Sequence, residues 1–258
     1  MPPTPKTARA VHANRGIEAK YRKRLQSLVD EMATSVQFWV QAAYKDNPPR
    51  MAMDAAPSTD MMKMLRSLAK RWTKRFDEYA PIIAEAYLKS MFKASDSAMM
   101  AALKHAGWTV KFKMTPVMRD AFDAKLAENV GLIRSIPAQY LQQVEGSVMR
   151  GYSAGRDLKA IVDDLKRLYP EASNRAVLIA RDQSNKANAV VVQARRQELG
   201  ITEAIWQHSH AGKNPRPSHV AADGKRYTIA KGRLIDGNYI QPGEEINCRC
   251  TSRSVLPF

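Results

Sequence analysis

Apolar positions along the chain recur mostly at helical spacing. Ile17, Tyr21, Leu25, Leu28, Met32, Val36 and Trp39 stand three or four residues apart, which places them on one face of a long helix. Pro48-Pro49 predicts its end, with residues 45–57 as a linker. Ser58 or Thr59 is placed to cap a second helix bearing Met61, Leu65, Leu68, Trp72, Phe76 and Tyr79. Pro81 predicts a break, with helix resuming through Ile82, Tyr87 and Met91, and a shorter helix from Ser95 to Gly107. The period then changes. Trp108, Val110, Phe112 and Met114 alternate with polar residues, so 108–114 reads as a short strand. Thr115-Pro116 suits a cap and first turn for a helix with Phe122, Leu126 and Val130. Ile136-Pro137 marks a turn before a helix with Tyr140, Leu141, Val144 and Val148. Leu158, Ile161, Leu165 and Leu168 form an amphipathic face that Pro170 ends. Ser173 then caps a helix running to Leu199, with Gly200 as its C-terminal cap.

Beyond Gly200 the character shifts. Residues 201–258 hold five glycines, four prolines and three of the five histidines, and Ala204–His210, Arg226–Ala230 and Cys250–Leu256 read as short strands. The expected fold is α+β, a mostly α-helical body with a small C-terminal β-rich, loop-rich module. The expected organisation is a flexible basic arm over 1–14, a helical region over 15–128, further helix over 129–200 and the β module over 201–258. Ten of the thirteen methionines lie between Met51 and Met118, and core filling is the simplest use of them.

Charge and composition narrow the classes. The 258 residues carry 41 Lys+Arg against 25 Asp+Glu, a net +16, and residues 1–75 alone carry a net +9. Such an excess favours a polyanion, either nucleic acid or an acidic protein face, with a merely solvated surface as the plain alternative. Arg15, Lys20, Arg22, Lys23, Arg24, Arg71, Lys74 and Arg75 are the candidate contacts. Two cysteines are too few for a disulfide-stapled scaffold. Met1–Gly16 has cations but no apolar segment, so no secretory leader is expected. No apolar run approaches the ~18 residues of a membrane span.

Candidate chemistry gathers in the β module. Cys248 and Cys250, with His219 and one of His208 or His210, could supply four zinc ligands. The one-residue spacer is tighter than the usual two to four, and two reduced, partly buried cysteines are the plainer reading. A Cys/His nucleophilic pair lacks any sign of a base beside a thiol. A metal-dependent nuclease on His219 and Asp223 has i, i+4 spacing in its favour, but Asp223-Gly224 is more simply a turn.

The same residues carry a resemblance. Arg216-Pro-Ser-His219, Ala222-Asp-Gly-Lys225 and Pro242-Gly-Glu-Glu-Ile-Asn-Cys-Arg-Cys250 occur in an order that resembles the signature of the phage Mu F-like minor head proteins, also called phage head morphogenesis proteins. Ile179-Ala-Arg-Asp-Gln183, Gly200 and Trp206 add to it, and the likeness spans residues 129–258. It implies a structural component of a tailed-phage head, built in the bacterial cytoplasm and carried in the virion in several copies. Portal and capsid proteins are the implied partners, with packaged double-stranded DNA as a further contact. It implies no catalytic activity and no standing cofactor. Arg216, His219, Asp223, Gly224, Asn247, Cys248, Arg249 and Cys250 become structural motif residues. Some relatives place a C-x-x-C pair where this chain has Arg216 and His219, which leaves His219, Cys248 and Cys250 as a reduced zinc set. The alternative function is a DNA-processing enzyme or zinc-stabilised DNA-binding module of a mobile element.

Overall fold

The computed structural model describes residues 6–46, 56–155, 157–210 and 214–258. Among them the helices are α1 (Arg15–Asp46), α2 (Ala56–His105), α3 (Pro116–Ser153), α4 (Leu158–Glu198) and the short α5 (Pro217–Ala221). The strands are β1 (Thr7–Ala8), β2 (Glu203–Gln207), β3 (Arg226–Thr228), β4 (Arg233–Ile235), β5 (Asn238–Ile240) and β6 (Thr251–Val255). This is the α+β class the hydropathy pattern predicts. No helix of the described residues is long and apolar enough to cross a membrane. The chain divides into two compact units. One gathers Met1–Ala19, Glu85–Ala127 and Arg181–Phe258, and the other Lys20–Ala84 and Glu128–Ala180. Each long helix contributes residues to both, so the division differs from the consecutive blocks expected over 15–128, 129–200 and 201–258.

Among the described residues, the elements of the second unit are all helices. Asn14 caps α1 through its Oδ1, 3.1 Å from the Ile17 N–H. The α1 stripe buries Tyr21, Leu25, Leu28, Val29, Met32, Val36 and Val40. Trp39, expected on that stripe, is 42% exposed, because the face ends on its neighbour Val40. Residues 47–55, including Pro48-Pro49, lie outside the described residues. Helix α2 begins at Ala56, ahead of the expected caps Ser58 and Thr59.

Three prolines expected to break helices do not. Pro81, Pro137 and Pro170 lie inside α2, α3 and α4, and Ser173 is a mid-helix residue rather than a cap. A mid-helix proline costs about 3 kcal/mol. Phe76 and Ile83, on either side of Pro81, are both buried. Burial of such side chains is worth roughly 1.5–3 kcal/mol each, so two already match the cost. The lost bond is also replaced. The carbonyl that Pro81 leaves free, four residues back at Asp77, accepts from Arg134 Nη2 at 3.5 Å, while Arg134 Nε pairs with the Asp77 carboxylate at 2.9 Å.

The first unit holds the β structure. Its sheet runs β1-β6-β2-β3, antiparallel throughout, with β4-β5 as a separate hairpin. Asp236 and Gly237 close that hairpin with φ of 49° and 83°, the two positive values of a type I′ turn. The core joins Met99 and Leu103 of α2 and Val192 of α4 to Ala204, Trp206, Tyr227 and Ile229 of the sheet. Met61, Met91, Met99 and Met118 are buried, in keeping with core filling.

Two expectations fail here. The arm expected over 1–14 is pinned in its described part. Thr7 and Ala8 pair with Val255 and Ser254, and Ala8 and Val11 are buried. A two-residue edge strand has no sequence signature of its own. The strand expected at 108–114 is absent. Trp108, Val110 and Phe112 do pack against the core, which explains their alternation. The segment joins no ladder, however, and the Lys113 carbonyl accepts from Arg195 Nη1 at 2.8 Å.

Candidate functional site

The motif residues converge on the loop that leads into β6. Helix α5 presents Arg216 at its N-terminal boundary and His219 one turn on. Both reach the same carboxylate. Arg216 Nη1 lies 3.2 Å and His219 Nε2 3.0 Å from Glu245 Oε2, while Arg216 Nη2 donates to the Ile246 carbonyl at 3.0 Å. The R-x-x-H spacing is thus that of two side chains one helical turn apart sharing an acid from the Pro-Gly-Glu-Glu loop.

The other ring nitrogen of His219 faces sulfur. Cys248 Sγ and Cys250 Sγ are each 3.6 Å from His219 Nδ1. All three residues are buried, and both thiols are free. The ring of Trp206 meets the imidazole edge-to-face at 5.5 Å between centroids. A hydrogen bond from Cys250, then backbone N–H groups of Cys250 and Gly243 and the nearby His219, outweigh burial and bring Cys248 down to about 6. Cys250 is pushed up, by its bond to Cys248, by burial and by the charge that Cys248 would carry. A cleft of about 700 Å³ adjoins the cluster, its lining including Arg181, His208, Arg216 and Asn247.

Helix α4 anchors this loop. Asp182 Oδ1 accepts from the Asn247 N–H at 2.8 Å, and Arg181 Nη2 donates to Asn247 Oδ1 at 2.6 Å. Asn247 takes φ 62°, a left-handed value that asparagine tolerates better than most residues. Gly243, at φ 86°, lies where a Cβ would come within 3.2 Å of Ala189 Cβ on the same helix. The Arg-Asp of Ile179–Gln183 and the N-C-R-C motif, over sixty residues apart, are therefore two halves of one latch.

Asp223 and Gly224 serve the end of β2 instead. Asp223 Oδ1 accepts from the His208 N–H at 2.9 Å, and its Oδ2 is 3.3 Å from His210 Nε2. Its carboxyl is held below the usual range, first by the His208 N–H and then by His210. Gly224 N–H bonds the Trp206 carbonyl at 2.9 Å. Burial, with His210 nearby, lowers the His208 pKa, and His208 Nδ1 accepts from the His210 N–H at 3.2 Å. Neither Asp223 nor His208 and His210, just beyond β2, join His219 and the thiols in the cluster, so the His219/Asp223 pair and the four-ligand set expected from sequence are not assembled. Arg249 is half-buried, its pKa lowered by burial and by Arg181 and Arg15.

Sequence reasoning missed Glu245, Arg181 and Asp182 as site residues. The one-turn spacing of Arg216 and His219, opposite a loop with two glutamates, was the available signal for Glu245. The candidate polyanion contacts lie on exposed helix surface. Arg15 pairs with Glu18, Arg75 with Glu31 and Lys74 with Glu78, while Arg71 donates to Ser35. Lys20, Arg22, Lys23 and Arg24 show no ion pair among the described residues.

This architecture, a polar latch closing a small antiparallel sheet onto long helices, defines a helix-anchored β module. Residues 142–253 match the family described as Phage Mu protein F like protein. The chain is also similar to an uncharacterized protein of Haemophilus influenzae, 28% identical over 253 residues, 95% of this chain and 55% of the relative. The chain thus spans about half the length of that relative, and the likeness reaches the helical N-terminal region, for which the sequence motifs offered nothing. No solved structure matches the chain at a significant level.

Proposed function

We propose that this protein is a minor head protein of a tailed phage, a structural component that serves head morphogenesis beside the portal and capsid proteins. The observation that carries the reading is the Mu F-like match over residues 142–253. The structure adds a physical sense to it: Arg216, Asp223, Gly224 and Asn247 are engaged in holding the β module closed, as residues of an assembly part would be. In this reading the protein is assembled in the bacterial cytoplasm, is carried in several copies in the virion and catalyses no reaction. Mass spectrometry of purified proheads and virions tests it. The polypeptide is expected in one or both, and its absence from both overturns the proposal.

The exposed cations Lys20, Arg22, Lys23 and Arg24 on α1 support contact with packaged DNA. Each phosphate contact on duplex DNA releases about 0.9 counterion, so affinity should fall steeply with salt. Replacing these four by glutamine should flatten the slope. A slope that is already flat in the native protein assigns the surface to a protein partner.

A further inference from the structure

One cluster is not used by the assembly reading. His219, Cys248 and Cys250 are 3%, 3% and 6% exposed, and their donor atoms lie within 4.8 Å of one another. We infer that these three side chains bind a zinc ion, which ties α5 to the segment leading into β6.

Four observations carry the inference. The first is distance. Zinc holds imidazole nitrogen at about 2.0–2.1 Å and thiolate sulfur at about 2.3 Å, so a tetrahedral N–Zn–S angle sets nitrogen and sulfur about 3.6 Å apart. Both N···S separations here are 3.6 Å. The second is the tautomer. With Nε2 donating to Glu245, itself held by Arg216, the ring presents the Nδ1 lone pair to the sulfurs. A carboxylate behind a ligating histidine is the usual support of a zinc ligand, fixing its orientation and raising its basicity. The third is hydrogen-bond supply. Nδ1 has a single lone pair, yet two sulfurs approach it equally, and only one thiol proton could use it. A cation engages all three donors together. The fourth is chemistry: two thiolates and an imidazole form a soft donor set that suits zinc and repels magnesium or calcium.

His219, Cys248 and Cys250 all line the adjoining cleft, so water from it would complete a fourth position. Glu245 sits on the opposite ring nitrogen, so it orients His219 and does not face that water. The ion would act as a staple between these two segments of the fold. It joins residues 29 and 31 positions apart in the chain. The inference stands whether or not the chain is a head protein.

The test uses the full chain, purified under reducing conditions and analysed for metal by mass spectrometry. About one zinc per chain is expected, as for a site that binds as it folds. Cobalt(II) exchanged into the native protein should give tetrahedral d–d bands and a thiolate-to-cobalt charge-transfer band. Zinc-free protein with two titratable thiols and no cobalt–thiolate band overturns the site, as does a mass two hydrogens short, which signals a Cys248–Cys250 bond. Cys250→Ser should lose the zinc, and a variant that keeps it at full occupancy overturns the ligand set. Should that variant not fold, Glu245→Gln leaves every ligand in place. It should weaken zinc about 10–100-fold in chelator competition, and an unchanged affinity rejects the supporting role of Glu245 that the inference requires.

Discussion

The two units hold themselves together by different means. The helical unit relies on aliphatic and aromatic stripes such as Leu25, Met32, Val36, Leu65 and Phe76, with most of its ion pairs at the surface. The unit bearing the sheet relies on buried polar side chains. Arg195, 2% exposed, forms a two-pronged bond to Asp96 at 2.8 and 2.7 Å and reaches Glu198 and the Lys113 carbonyl. Arg196 donates to Ser254 and Ser252 in β6. Asn188 donates to the Val11 carbonyl and accepts from Ser95. A stripe needs only apolar volume, which many residues supply, whereas a guanidinium fork needs one residue type in one place. Substitution should therefore be tolerated less readily in the second kind of unit.

Conservative exchanges should expose the contrast most sharply. Arg195→Ala is expected to cost about 3–5 kcal/mol, because Asp96 and Glu198 lose their common partner. Arg195→Lys should recover little, since lysine keeps the charge but not the fork. Leu25→Met, a volume-conserving change in the helical unit, should cost under about 1.5 kcal/mol. Urea unfolding followed by tryptophan fluorescence measures all three, and equal costs for the lysine and methionine variants would dissolve the distinction. A smaller effect should follow at the latch. Asp182→Ala removes the acceptor of the Asn247 N–H and should cost about 1–3 kcal/mol, with faster hydrogen exchange at Asn247 than in the native chain.

The smallest expected effect is on pH dependence. Asp223 has its folded pKa depressed, so its contribution to stability is present above the unfolded value and fades as pH falls through the lower folded one. Melting curves taken below about pH 4 should therefore show a steeper acid loss in the native protein than in Asp223→Asn. Parallel curves would mean that the bond to the His208 N–H contributes nothing.

Legibility in the sequence follows the same divide. Helical faces were readable from spacing, and the caps at Gly107, Thr115 and Gly200 stand where turn chemistry put them: the Met118 N–H is 3.3 Å from Thr115 Oγ1, and the Ile201 N–H bonds the Arg196 carbonyl at 2.9 Å. Strand β2 was visible from alternation, and β3 and β6 were among the expected short strands. Pro81 misled because a local rule ignores a remote arginine that donates to the freed carbonyl. The β4-β5 hairpin was overlooked although Asp236-Gly237 is a strong turn signal. At the site, residue types were legible but partnerships were not, since Glu245, Asp182 and the thiols meet only through the fold.

The sheet order β1-β6-β2-β3 sets a schedule for synthesis. Of the described strands, β6, between β1 and β2, is the last to be made, and the Leu256 N–H closes on the Lys6 carbonyl at 2.8 Å. Until residue 255 emerges, β1 and β2 have no common neighbour, and the first strand made must wait for the last. Helices α1, α2, α3 and α4 are complete well before that. A nascent chain would thus carry an unfinished sheet edge until β6 is made, and a chain cut short before β6 would keep it permanently.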